Sequence, residues 1–168
     1  MTADGISLRD VEPADRDWLL ALNQACLPAV SSLTWESLGQ LLDRAAVTRL
    51  ASADGAPVGA LIAFRPGTDY GSDNYVWFSD RFDDFLYVDR VMVTDAARGR
   101  GVGRALYDDL VAVARRLGVP RLTCEVNEAP PNPGSMRFHA QYGFRTIESR
   151  PSAGGSKRVA MLAWPVPA

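Results

Sequence analysis

Histidine, lysine and cysteine are scarce in this 168-residue chain: one His (His139), one Lys (Lys157) beside seventeen Arg, and two Cys (Cys26 and Cys124). A single His with two distant Cys cannot assemble a four-ligand zinc site or a multi-His catalytic centre, so no metal is expected, although carboxylate-rich sites stay open. Two Cys with no spacing motif are expected to be reduced and buried, acting as small apolar residues. An excess of charge of one sign is missing too. The formal charge of −2 and pI near 5.4 argue against a protein that holds nucleic acid by broad electrostatics. There is no long hydrophobic run: Ala56 to Phe64 contains Pro and Gly and falls far short of the ~18 residues of a membrane span. Asp4, Arg9 and Asp10 interrupt the start, unlike a signal peptide. A cytoplasmic protein with no membrane partner is the expectation.

What is present suits an ordinary globular chain. Hydrophobic residues make up 47% and charged residues 23%, and a chain of this length can bury roughly 70% of its unfolded surface in a single domain, here residues 1–168. Ile6 to Val11 alternates like a strand, and Pro13 suits the first turn of a helix carrying Trp18, Leu19, Leu22 and Cys26. Thr34 is placed to cap a second helix with Leu38, Leu41, Leu42 and Ala45 on one stripe. Strands near Val47 to Ser52 and Val58 to Phe64 flank the turn signal Asp54-Gly55. Arg65 to Asp84 reads as a long connection rich in Gly, Asp and aromatics. A strand from Phe85 to Val93, a helix from Gly101 to Leu117 and a strand from Arg121 to Val126 form a central strand–helix–strand unit. A short helix from Ser135 to Tyr142 and strands near Phe144 to Ser149 and Arg158 to Trp164 follow. The order is mixed α/β (α+β).

The most informative residues are Arg98-Gly99-Arg100-Gly101-Val102-Gly103-Arg104, between a strong strand and a strong helix. Glycines at a helix start let backbone N–H groups approach a ligand, the helix dipole favours anions there, and arginines add paired donors for phosphate oxygens. The pattern reads as a pyrophosphate site. No Gly-Lys-Ser or Gly-Lys-Thr follows, which disfavours an NTPase. A dinucleotide fingerprint would use Glu125 as its ribose contact, but its third glycine is replaced by Arg104 or by Leu106, depending on the starting glycine.

Arg98-x-x-Gly101-x-Gly103 resembles the acetyl-CoA signature of the GCN5-related N-acetyltransferases, the GNAT superfamily. The resemblance extends upstream through Val91-Met92-Val93 and downstream to Asn132, Ser135, Phe138, His139 and Gly143-Phe144. It implies a mostly antiparallel central sheet of six to seven strands with about four helices. It also implies an acetyl-CoA-dependent N-acetyltransferase acting directly on a primary amine of a small molecule or peptide. By this resemblance the cofactor side comprises Val91, Met92, Val93, Arg98, Gly99, Arg100, Gly101, Val102, Gly103, Arg104, Asn132 and Ser135, with the Val91 amide as oxyanion donor.

An alkylamine of pKa ~10 needs a proton acceptor at neutral pH. Strand alternation puts Tyr87 and Asp89 on the face of Val91 and Val93, and the family often places its base there; Asp89 is the first candidate and Tyr87 the second. His139 stands where the family puts a thiolate-protonating Tyr, and Tyr142 can substitute for it. Asp69, Asp73, Asp80, Asp83, Asp84, Asp89 and Asp95 make one stretch acidic, which favours a cationic acceptor. In the family the connection here spanning Pro28 to Thr34 lines the acceptor site. Other readings are an acyltransferase using another acyl-CoA, a non-catalytic CoA-binding module and an NAD-dependent oxidoreductase. A homodimer is compatible with all of these.

Overall fold

The computed structural model describes residues 5–168. Its strands are β1 (Ile6–Arg9), β2 (Val47–Ala53), β3 (Ala56–Phe64), β4 (Leu86–Val93), β5 (Arg121–Ala129), β6 (Arg145–Ser152) and β7 (Lys157–Pro165). The helices are α1 (Arg16–Ala25), α2 (Trp35–Arg44), α3 (Asp73–Arg81), α4 (Val102–Leu117) and α5 (Pro133–Tyr142). The strands form one 7-stranded sheet in the order β1-β2-β3-β4-β5-β7-β6. The pairs β1–β2, β2–β3, β5–β7 and β6–β7 are antiparallel, and β4–β5 is parallel. The mixed, mostly antiparallel sheet expected from the sequence is therefore present. Two compact units divide the chain, one made of the chain up to Phe64 with Val88–Ala112, the other of Arg65–Tyr87 with Val113–Ala168.

In the first unit, β1 stops at Arg9, earlier than the expected Val11, and Pro13 opens a 3-10 turn in front of α1. Thr34 caps α2 as expected: its hydroxyl accepts from the Ser37 N–H at 3.1 Å, while Ser37 Oγ accepts from the Thr34 N–H at 2.8 Å. Asp54 and Gly55 both have positive φ, 53° and 79°, which fits the two-residue hairpin turn whose twist matches the flanking strands. From Gly59 to Phe64 every residue of β3 is buried, the near-continuous apolar run of a strand covered on both faces. A Cβ on Gly59 would lie 2.8 Å from Val102 Cγ1 and 2.9 Å from the Met92 carbonyl. The bare backbone of β3 thus lets the start of α4 pack closely. Neither cysteine is in a disulfide; Cys124 is buried, but Cys26, expected to be buried, is only half-buried because it caps the exposed end of α1.

In the second unit the expected connection from Arg65 to Asp84 is corrected, since it contains α3. Ser72 precedes the helix, Asp73 opens it, Arg81 closes it, and Asn74, Tyr75 and Phe78 turn inward at helical spacing. Tyr75 and Phe78 bring their rings to 5.6 and 5.8 Å from Tyr87, building an aromatic core with Phe85. The stripe expected on α4 is buried except at its end, where Leu117 is exposed. Gly143 ends α5 with φ 122°, and the Phe144 N–H returns to the His139 carbonyl at 2.9 Å.

Candidate active site

Alternation along β4 sorts its residues: Val88, Arg90 and Met92 are buried and Val91 and Val93 only partly covered, whereas Asp89, on the face of Val91, has its side chain almost wholly buried. Met92 therefore has only its main chain to offer on the face of Val91 and Val93. The strand ends where the Thr94 N–H donates to the Val58 carbonyl at 2.9 Å, and the chain turns immediately. The N–H groups of Ala97, Arg98 and Arg100 donate to the carbonyls of Thr94, Asp95 and Ala97, and Ala105 N–H donates to Gly101 at 2.9 Å to start α4. Gly99 and Gly101 take φ of 76° and 81°, the left-handed region that a side chain resists. A Cβ at Gly99 would meet nothing within 4 Å, so that glycine serves the turn itself and not packing against the protein.

The first amides of a helix have no intrahelical carbonyl to meet, and the dipole there favours an anion. Around this helix start Arg98 pairs with Asp95 at 3.2 Å and Arg100 with Asp54 at 3.4 Å. Both pairs are largely exposed, and such pairs hold their partners weakly, so the guanidinium groups can exchange a carboxylate for a phosphate. Arg104 is exposed on the first turn of α4 and Gly103 is partly covered. This turn fits a diphosphate. Cys26 lies in the same field: burial pushes its thiol up, with Arg98 acting in the opposite direction.

Asp89 is committed to a partner. Its Oδ2 accepts from Arg90 Nε at 2.7 Å, and both side chains are almost wholly buried. Arg90 Nη1 also donates to Asn23 Oδ1 at 2.5 Å.

The second unit holds the other candidates. Tyr87 is fully buried, and its hydroxyl lies 2.8 and 2.7 Å from Glu125 Oε1 and Oε2, donating to that carboxylate. Asn132 caps α5, its Oδ1 accepting from the Ser135 N–H at 3.3 Å. His139 is buried, with Nδ1 2.8 Å from the Ser135 carbonyl and 3.2 Å from Ser135 Oγ. Burial pushes the imidazole below its usual value of 6.5, with the Ser135 bond opposing. Assigned from these neighbours, the neutral ring carries its proton on Nδ1 and leaves a lone pair on Nε2. Tyr142 is half-buried among Phe138, Phe144 and Trp164.

Two sets of residues escaped the sequence reading. Glu125 figured there only as a ribose contact, and its one visible signal is a carboxylate between the apolar Cys124 and Val126 of β5. The partnership of Asn23 and Arg90, 67 positions apart, left no local signal. Among the described residues no helix is long and apolar enough to cross a membrane, and no group of three or more His, Cys, Asp or Glu is placed to hold a metal ion.

The family model described as "Acetyltransferase (GNAT) family" matches residues 15–144. Among solved structures, a GCN5-related N-acetyltransferase from Kribbella flavida is 25% identical with a TM-score of 0.72, the match covering 98% of this chain and 99% of that one. Naa50 from Arabidopsis thaliana, solved with the bisubstrate analogue CoA-Ac-MVNAL, is 16% identical with a TM-score of 0.72, covering 95% and 98%. The structure of yncA from Salmonella typhimurium with its cofactor acetyl-CoA is 18% identical with a TM-score of 0.70, covering 97% and 95%. The last two show likeness of fold alone. No curated protein sequence matches the chain.

Proposed function

This chain belongs to the acetyltransferase (GNAT) family, and on that premise we propose that it transfers an acetyl group from acetyl-CoA to a primary amine of a small molecule or peptide. The observation that carries the reading is the turn from Arg98 to Gly103, where two left-handed glycines deliver the chain into the start of α4 beside exposed arginines. Arg98, Gly99, Arg100, Gly101, Val102, Gly103 and Arg104 hold the diphosphate of CoA in this reading. The main chain of Val91, Met92 and Val93, with Asn132 and Ser135, receives the pantetheine arm. The yncA structure with its cofactor acetyl-CoA and the Naa50 structure with the bisubstrate analogue CoA-Ac-MVNAL support the choice of cosubstrate. When bound, acetyl-CoA supplies a thioester carbonyl, which the amine attacks and from which the CoA thiolate leaves.

The residues divide the proton work. A carboxylate must take a proton from the incoming ammonium. Asp89 can do so by exchanging its bond to Arg90 for the substrate, and Tyr87 is the second candidate of the family resemblance. Glu125 is favoured by a specific observation: it is partly exposed and accepts from the neutral Tyr87 phenol instead of a buried guanidinium. The Val91 N–H stabilises the developing oxyanion. The leaving thiolate takes its proton from Tyr142, whose phenol is protonated at neutral pH, or from His139 once the lone pair on Nε2 has gained one. The acceptor is an amine drawn to the acidic stretch between Asp69 and Asp95, met in the cytoplasm without nucleic acid or membrane, and no metal takes part.

Thermal melting with acetyl-CoA, CoA, NAD and ATP tests the ligand class. A ligand at ~100 times its dissociation constant adds ~2.7 kcal/mol. CoA and acetyl-CoA are expected to stabilise the protein and NAD and ATP to leave it unchanged. Gly103→Asp, which sets a negative charge at the helix start, is expected to melt normally and lose the response. Stabilisation by NAD alone would point to the dinucleotide reading.

A further inference from the structure

The first unit buries a cation that serves a surface connection. Arg90 lies on β4 next to Val91, its side chain 3% exposed. Burying a guanidinium is unfavourable unless its donors are met. Nε donates to Asp89 Oδ2 at 2.7 Å, Nη1 to Asn23 Oδ1 at 2.5 Å and to the Ser31 carbonyl at 3.3 Å, and Nη2 to Ser31 Oγ at 3.1 Å. Asn23, fully buried on α1, donates from Nδ2 to the same Ser31 carbonyl at 3.0 Å. From the solvent side Gln24 completes the hold: its Oε1 accepts from the Leu33 N–H at 3.1 Å and its Nε2 donates to Ser32 Oγ at 3.0 Å. Three consecutive residues of the α1–α2 connection, Ser31, Ser32 and Leu33, are thus held by side chains although the two serines are exposed.

Connections of this kind are ordinarily the mobile part of a fold. Here a charge with its counter-ion and an amide are buried to fix one, and the anchor sits one residue from the amide assigned to the oxyanion. We propose that Arg90 is a positioning residue that fixes Ser31–Leu33 as a wall of the acceptor-amine site, with Asp89 as its counter-ion and Asn23 as its bridge to α1. The inference rests on the acetyl-transfer reading, in which Val91 marks the reacting carbonyl. Arg90 touches neither substrate; it acts through the segment it holds. A lysine there keeps the charge facing Asp89 but cannot reach Asn23 and Ser31 in fixed directions at once.

The test compares wild type with Arg90→Lys, Asn23→Ala and Ser31→Ala. CoA release from acetyl-CoA is followed against a panel of alkylamines, diamines and short peptides with free N-termini, and exchange of the amides at positions 31–33 is recorded alongside. Arg90→Lys and Asn23→Ala are expected to speed that exchange and raise the acceptor KM about tenfold, with kcat within about threefold and acetyl-CoA affinity within about twofold. Ser31→Ala removes one exposed hydroxyl and keeps the test open should the other two fail to fold; it is expected to raise KM about threefold. Faster exchange with unchanged KM overturns the inference and leaves acetyl transfer standing. A parallel fall in kcat, acetyl-CoA affinity and melting temperature also overturns it, because that marks a merely structural role. A wild-type protein that binds acetyl-CoA yet acetylates nothing in the panel removes the acetyl-transfer reading, and the inference with it.

Discussion

Among single residues His139 links protonation to folding most directly, because its ring is buried against its own helix and burial disfavours the charged form. Below the ordinary value of 6.5 the unfolded chain binds a proton that the folded chain refuses, down to the lowered folded value, so stability falls as the pH falls through that window. Above it both states are neutral and the residue contributes no slope. Melting followed from about pH 7.5 to about pH 5 is therefore expected to fall more steeply for wild type than for His139→Phe; equal slopes would show that His139 takes its proton without penalty. The place of His139 was legible from its spacing after Asn132. Its neutral state was not, because burial comes from the tertiary packing of α5. Asp89 is a similar case: alternation placed it on the face of Val91, but its almost wholly buried pairing with Arg90 depends on what surrounds β4.

The elements that local chemistry controls were read well. Thr34 caps α2, Asp54-Gly55 makes the hairpin, and the glycines after β4 open α4. The exception, α3, was hidden because Gly and Asp on either side read as loop punctuation and its aromatic residues resembled a cover for the core. Only the inward turn of Asn74, Tyr75 and Phe78 reveals its period. Packing between elements was equally hidden, as Gly59 shows, since no local rule says which glycine of a strand a helix will rest on. Gly59→Val is expected to push Val102 and the start of α4 off β3, costing about 1–3 kcal/mol. If the shift reaches the Gly99–Gly101 turn, acetyl-CoA affinity falls with it. Chemical denaturation and acetyl-CoA titration of the one variant check both parts; an unchanged midpoint would contradict the tight packing.

For the whole molecule, the composition of mixed elements and the resemblance carried by the Arg98–Gly103 pattern led to the right fold class, and the family match over residues 15–144 supports it. The interleaved order β5-β7-β6 and the parallel β4–β5 pair could not be read from periodicity, which says that a segment is a strand but not which strand it joins. The phenol of Tyr87 and the carboxylate of Glu125 meet across that parallel pair, so the proton acceptor that geometry favours followed from pairing and not from any motif. The scarcity of His and Cys left the chemistry to carboxylates, phenols and main-chain amides, and an acetyl transfer can be carried out with those groups. Incubation with acetyl-CoA and an amine panel, with CoA thiol and acetylated amine counted together, tests that account most directly. It predicts equal amounts of the two products for at least one amine, and a loss of about 100-fold or more in rate for Glu125→Gln. Acetyl-CoA binding without release of CoA to any amine, or release at the same rate in Gly103→Asp, would contradict it.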